Sequence, residues 1–162
     1  MCSQAHRGLV CARLLLEPLA PALCAGCGRR ASRAEPLCSR CRAELRWLGP
    51  ESVQASGVEL WAPVAYEGPA RSLVAALKYR GATPLAHTMA AQIVASAPPG
   101  VLTAVAARVV LVPVPLHPAR LRRRGYNQAE LLASALAERT GLGVAGCLAR
   151  SASAEASSSA WL

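Results

Sequence analysis

Apolar and polar positions change period along the chain, and those changes divide it into elements. Leu9 to Leu23 spaces its apolar residues as a short amphipathic helix that Pro18 and Pro21 break before Cys24. Glu44 to Leu48 reads as one or two helical turns ended by Gly49-Pro50, and a linker follows. Leu60 to Tyr66 is strand-like, Glu67-Gly68-Pro69 a turn, and Ala70 to Tyr79 a helix carrying Lys78 at its C-terminal end. Thr83 is placed to cap a further helix, with Pro84 at its first position, that runs to about Ala95 and stops at Pro98-Pro99-Gly100.

The second half opens on Arg108 to Pro115, a continuous β-branched run of the kind buried on both faces of a parallel sheet. Pro113 and Pro115 lack ladder donors, so the strand ends there and releases a loop from Leu116 to Tyr126. Asn127 and Glu130 form a capping-box-like pair, and Leu131, Leu132, Ala135 and Leu136 mark one face of a helix that closes at Gly141. Strand, basic loop and helix in this order predict an α/β architecture.

Charge sharpens the reading of that loop. Of the 162 residues, 18 are basic, all arginine except Lys78, against nine acids, and the formal net charge is +9. All the acids are Glu and no two are adjacent, which excludes paired-carboxylate magnesium sites and calcium loops. The surplus suits a polyanionic partner, either a phosphorylated small molecule or nucleic acid. Arg120, Arg122, Arg123 and Arg124 follow the C-terminal end of the predicted strand, where α/β folds bind ligands, and guanidiniums match phosphate oxygens. Gly125, Tyr126 and Asn127 make this more than a solvated charge run. The positive mean hydropathy reflects alanine content, and charges and prolines interrupt every apolar stretch. No membrane span or cleavable leader is read, and a cytoplasmic protein is expected.

Four of the seven cysteines form Cys24-x2-Cys27-x10-Cys38-x2-Cys41. Two CxxC knuckles that share one ion match a tetrahedral four-thiolate zinc site, with two disulfides or four free thiols as the alternatives. A redox CxxC lacks its strand-helix setting here. Four protein ligands leave no open position, so the zinc is structural and its binding energy, on the order of 10 kcal/mol, is folding energy. Arg29, Arg30, Arg33, Arg40, Arg42 and Arg46 surround the knuckles. Without a stacking set of aromatics they read as solubilising charge rather than a nucleic-acid grip. Cys2, Cys11 and Cys147 read as ordinary small buried or terminal residues. His117, beside two prolines, has no neighbouring acid or nucleophile, His6 and His87 belong to no constellation, and nothing resembles a catalytic triad.

The two knuckles, the segment AYEGPARSLVAALKYRG at 65–81 and the segment LVPVPLHPARLRRRGYNQAELLASALAERTGL at 111–142 together resemble the ComF family of competence-associated proteins. The resemblance runs to Arg150. It implies an N-terminal zinc ribbon followed by a type I phosphoribosyltransferase-like parallel sheet with flanking helices. It also implies phosphoribosyl pyrophosphate as ligand and displacement of pyrophosphate from C1 of its ribose. Lys78 matches the family's LKY lysine, and Arg120 to Gln128 match its R-x-x-RG-[FY]-NQ segment. Lys78, Arg120, Arg122, Arg123, Arg124, Gly125, Asn127 and Gln128 are thereby expected to hold pyrophosphate or phosphate.

The chain departs from the family after Arg150. Relatives continue into a strand, two adjacent acids that hold the ribose hydroxyls, and a Thr/Gly-rich turn that cradles the 5-phosphate. Here a Ser/Ala-rich tail follows, read as disordered and as the mark of a truncated or frame-shifted reading frame. The resulting division is residues 1–48 as helix and zinc ribbon, 58–150 as a partial phosphoribosyltransferase-like domain, and 151–162 as tail. Magnesium is implied only for full-length relatives. The expected role is a ComF-like protein of DNA uptake without transferase turnover. The alternative is a zinc-ribbon accessory that binds single-stranded DNA or competence proteins.

Overall fold

The computed structural model describes residues 22–32, 35–102 and 109–150. Most of the predicted first helix, Cys2, His6, Cys11, Arg33 and the 151–162 tail lie outside the described residues. The order is helix α1 (Ser39–Ala43), strands β1 (Val53–Ala55) and β2 (Val58–Leu60), helices α2 (Gly68–Tyr79) and α3 (Leu85–Ser96), strand β3 (Val110–Leu111), helices α4 (Pro118–Arg124) and α5 (Gln128–Thr140), and strand β4 (Gly143–Val144). Among the described residues the architecture is mixed α/β with two small sheets.

The helical turn expected at 44–48 lies upstream instead, at α1, because Cys38 occupies the helix-start position and the second knuckle itself nucleates the turn. Glu44 ends it, and Trp47 continues as extended chain in an antiparallel bridge to Val64. The expected strand from Leu60 to Tyr66 reduces to that bridge, with Leu60 closing β2. The supposed linker before it holds the β1–β2 hairpin, which turns at Ser56 (φ 53°) and Gly57 (φ 76°). Positive φ at both central residues gives the twist that two-residue hairpin turns need. Val53, Ala55, Val58 and Leu60 share one face of this hairpin, and Gln54 and Glu59 share the other.

α2 begins two residues earlier than expected, with Pro69 in its first turn, where a missing N–H costs nothing. At α3 the start position falls to Pro84, and Thr83 makes no side-chain cap. Of the hydrophobic run expected at 108–115, the described residues 109–115 contribute only the two-residue β3, paired in parallel with β4, Val110 to Gly143 and Leu111 to Val144. Burial on both faces does not occur, since Val110 is 47% and Val114 66% exposed. With a single two-residue partner strand among the described residues, nothing covers them.

The expected basic loop is largely helical. His117 caps α4 by accepting from the Ala119 N–H, Pro118 follows, and Gly125 stops the helix in the left-handed region at φ 81°. α5 closes as expected, at Gly141 with φ 74°. α3 packs against α5 through Ala90, Ala135 and Leu136, with Ile93, Leu111 and Leu132 around them. The two buried alanines let the helix backbones approach closely. A second cluster of Cys24, Leu37 and Cys41 receives Leu73 of α2, so the ribbon seats on that helix.

Candidate metal centre and anion cleft

The first knuckle is a small hairpin. Leu23 bridges Arg30, the Cys24 N–H donates to the Arg29 carbonyl at 2.7 Å, and the Gly28 N–H donates to the Cys24 carbonyl at 2.9 Å. Gly28 takes the left-handed turn at φ 72°, where a side chain would be strained. The second knuckle spans the start of α1, and the Ala25 N–H ties the two together by donating to the Pro36 carbonyl at 2.8 Å.

All four Sγ atoms, from Cys24, Cys27, Cys38 and Cys41, lie within 4.8 Å of one another. The Cys27 and Cys38 sulfurs are 3.7 Å apart. A Zn–S bond of about 2.3 Å places tetrahedral sulfurs about 3.8 Å from each other, whereas a disulfide needs about 2.05 Å. The four thiols of the cluster are accordingly free, and their spacing fits one tetrahedral ion. Gly26 completes the cradle, since a Cβ there would come within 3.0 Å of Cys41 Sγ and 3.2 Å of Leu37 Cδ2. The cluster can hold a metal such as zinc.

Electrostatics distinguish the sulfurs. Burial pushes the Cys24 thiol up, but N–H donors from Cys38, Cys27 and Gly26 more than offset it and leave its pKa at about 6. The Cys38 N–H lies 3.3 Å from that sulfur. Burial and then the neighbouring sulfurs of Cys27, Cys24 and Cys38 push Cys41 well above the ordinary thiol range. A cation at the centre removes both penalties by favouring thiolate at every position.

The ribbon's guanidiniums are partly neutralised on site. Arg40 pairs with Glu44 at 2.8 Å, Arg46 with Glu67 at 2.6 Å, and Arg42 with Glu35. Arg29 and Arg30 are exposed. Cys147 is free and exposed.

A second centre forms where α2 and α4 end. Lys78, Tyr79, Gly81, Arg123, Arg124 and Tyr126 line a cleft of about 430 Å³, with no carboxylate among them. Tyr126 Oη donates to the Leu77 carbonyl at 2.5 Å. The Arg124 guanidinium lies 5.3 Å from the Tyr79 ring centroid and donates to Gln128 Oε1. Both helices present their C-terminal ends here, and the partial negative charge of those ends favours Lys78 and the arginines of the last turn.

Of the residues expected to hold phosphate, Lys78, Arg123 and Arg124 meet in this cleft, while Arg120 and Arg122 are exposed and do not line it. Gln128 restrains Arg124, and Gly125 provides the turn between α4 and α5. Asn127 is 2% exposed and serves the backbone. Its Oδ1 accepts from Ala129 N–H at 3.0 Å, and its Nδ2 donates to the Val114 carbonyl and to Glu130, each at 3.1 Å. Tyr79 and Gly81 were not expected in the cleft. The available signal was Tyr79 directly after the lone lysine and Gly81 two residues further on. His117 is engaged in capping α4, and His87 sits 3.6 Å from Glu138 on the α3–α5 surface.

Among the described residues no helix is long and apolar enough to cross a membrane. Compared with protein-family models, with curated proteins and with solved structures, the chain matches none.

Proposed function

We propose that this chain is a ComF-like protein, a zinc ribbon joined to part of a type I phosphoribosyltransferase-like fold, and that its cleft binds the pyrophosphate group of a phosphorylated ligand such as phosphoribosyl pyrophosphate. One observation carries the reading. Lys78 and the Arg123–Arg124 pair, more than forty residues apart and drawn from the two segments that resemble the family, line one cleft free of carboxylates. The parallel β3–β4 pair, joined through α4 and α5, supports a β-α-β crossover with the basic segment after the C-terminal end of its first strand.

In this reading Lys78 and Arg123 neutralise the phosphate oxygens, Arg124 is held in place by Gln128 and Tyr79, and Tyr126 keeps the two helix ends together. These roles are positioning and charge stabilisation, and they need no protein nucleophile. A zinc ion on Cys24, Cys27, Cys38 and Cys41 would supply structural rigidity, with no coordination position left for substrate. The chain has no Asp and no adjacent pair of Glu to hold ribose hydroxyls, so binding without transfer is expected. A role in DNA uptake follows from the family resemblance alone.

The test is calorimetric titration of the zinc-loaded 162-residue chain with inorganic pyrophosphate and with phosphoribosyl pyrophosphate, alongside an assay for pyrophosphate release. Saturable binding that drops at least about tenfold in an Arg123→Ala/Arg124→Ala variant, with no turnover, is the expected result. Binding that ignores those substitutions overturns the assignment of the cleft, and saturable turnover overturns the claim that the chain does not transfer. A salt-dependent shift of single-stranded oligonucleotide, without pyrophosphate binding, would favour the nucleic-acid accessory role.

A further inference from the structure

Arg80 stands between the two centres and belongs to neither. Its Nη2 donates to the Ala25 carbonyl at 2.9 Å and to the Ser72 carbonyl at 3.2 Å. Ala25 lies inside the first knuckle, between Cys24 and Cys27, and its own N–H is held by Pro36, two residues before Cys38. The carbonyl that receives Arg80 is therefore fixed from both knuckles. On its other side Arg80 closes α2, its N–H donating to the Ala76 carbonyl at 3.0 Å. It also separates Tyr79 from Gly81, and both of these line the cleft with Lys78.

We propose that Arg80 is a positioning residue that couples metal loading of the four-cysteine centre to anion binding in the Lys78–Arg124 cleft. The inference rests on the anion-binding reading of that cleft and adds a dependence on the ribbon. With a metal in place the knuckle backbone is rigid, the Ala25 carbonyl is a fixed acceptor, and the 78–81 segment is held where Lys78 lines the cleft with Arg123. Without it, the knuckle relaxes and Arg80 loses a partner. The last turn of α2 is then tied by Tyr126 at Leu77 but no longer by Arg80 to the knuckle, and the 79–81 segment beyond it frays more readily. Leu73, packed on Cys24, Leu37 and Cys41, carries the same dependence through the body of the helix. Such coupling is reciprocal, so an anion in the cleft steadies the knuckle.

Two readouts on the zinc-loaded full chain test this, namely pyrophosphate affinity by calorimetry and amide hydrogen exchange across Cys24–Gly28. The wild-type chain is expected to bind pyrophosphate and to slow knuckle exchange on doing so. Arg80→Met, which keeps the aliphatic stem, is expected to retain its zinc, bind pyrophosphate about fivefold more weakly, and show no slowing at the knuckle. Where that variant fails to hold zinc, Arg80→Lys takes its place. It keeps the charge on a shorter stem, and the same loss of knuckle protection is expected. No saturable binding by the wild-type chain would sink the anion reading itself. Normal binding with unchanged knuckle exchange, or an Arg80 variant that keeps both responses, would leave the cleft standing and overturn the coupling.

Discussion

The hydroxyl of Tyr126 donates to the carbonyl of Leu77 at 2.5 Å, across 49 residues of chain. Leu77 lies in the last turn of α2, whose carbonyls have no partner inside the helix, and Tyr126 follows the glycine that stops α4. The bond thus satisfies an orphan acceptor and clamps two cationic helix ends against each other. Tyr126→Phe is expected to cost about 1 kcal/mol in urea unfolding. It should also weaken pyrophosphate binding several-fold although no charge changes. Unaltered affinity with the expected loss of stability would confine the bond to a structural role.

Gly26 and Gly28 stand in the same knuckle for different reasons, and alanine should separate them. At Gly26 a Cβ meets Cys41 Sγ at 3.0 Å and Leu37 Cδ2 at 3.2 Å, so Gly26→Ala must push Cys41 or Leu37 aside by a few tenths of an ångström, and zinc affinity is expected to fall. At Gly28 a Cβ meets nothing, and only the left-handed backbone resists it. Gly28→Ala should therefore cost about 1 kcal/mol while zinc still binds. Chelator competition measures the first effect and thermal unfolding the second.

Proton competition at the cluster has a calculable sign. Cys24, with its pKa lowered from 9.0 to about 6, favours the folded metal-free ribbon fully above pH 9, and that advantage is lost as the pH falls from 9 through 6. Cys41 is shifted upward, so its contribution is full below pH 9 and declines as the pH rises beyond it. Metal-free stability from this pair should therefore peak near pH 9. Zinc binding at neutral pH must displace the Cys41 proton but not the Cys24 proton. As the pH is lowered through about 6, one further proton is released per ion bound. Calorimetry in two buffers of different ionisation enthalpy counts it.

Loss of a metal from the four-cysteine cluster would reach beyond the knuckles, because Leu73 of α2 packs on the buried Cys24, Leu37 and Cys41. Cys41→Ser or exhaustive chelation is expected to abolish zinc stoichiometry and to lower the apparent melting temperature of the whole chain. Trp47, half exposed and bridged to Val64, reports the change by fluorescence. A melting temperature indifferent to chelation would mean that the ribbon contributes nothing to the rest.

The four-cysteine cluster was legible because CxxC spacing encodes its own geometry, two sulfurs per turn. The helices α2, α3 and α5 were legible for a similar reason, since Pro69, Pro84 and Gly141 punctuate helical spacing. Two elements were not. Ser56-Gly57 signals a hairpin only through backbone φ, and its strands are exposed throughout, so no burial pattern marks them. At 116–124, four arginines obscured a helix whose signals were present in His117-Pro118 and Gly125. The run at 108–115 reads as a buried strand because β-branched residues report propensity, whereas burial depends on neighbouring strands that the described residues do not supply. The cleft was half legible, because the basic run after the predicted strand marked Arg123 and Arg124 and the family resemblance added Lys78, while the meeting of α2 with α4 is a tertiary fact.

Asn127 separates a ligand contact from a scaffold contact most sharply. The family resemblance lists it with the phosphate binders, yet its three polar contacts all go to protein and it is buried. Asn127→Asp keeps the oxygen that caps α5 but loses the donor to the Val114 carbonyl and places a second carboxylate beside Glu130. Asn127→Ala loses both. The cap and the buried bond are each worth about 1 kcal/mol, so a loss of about 2 kcal/mol is expected for alanine. For aspartate the loss should be comparable near neutral pH and shrink in acid, as protonation of the new carboxyl restores a donor. Denaturant unfolding at pH 7 and pH 4.5 measures both. If Asn127 instead touched the anion, aspartate would abolish pyrophosphate binding while leaving the unfolding midpoint unchanged.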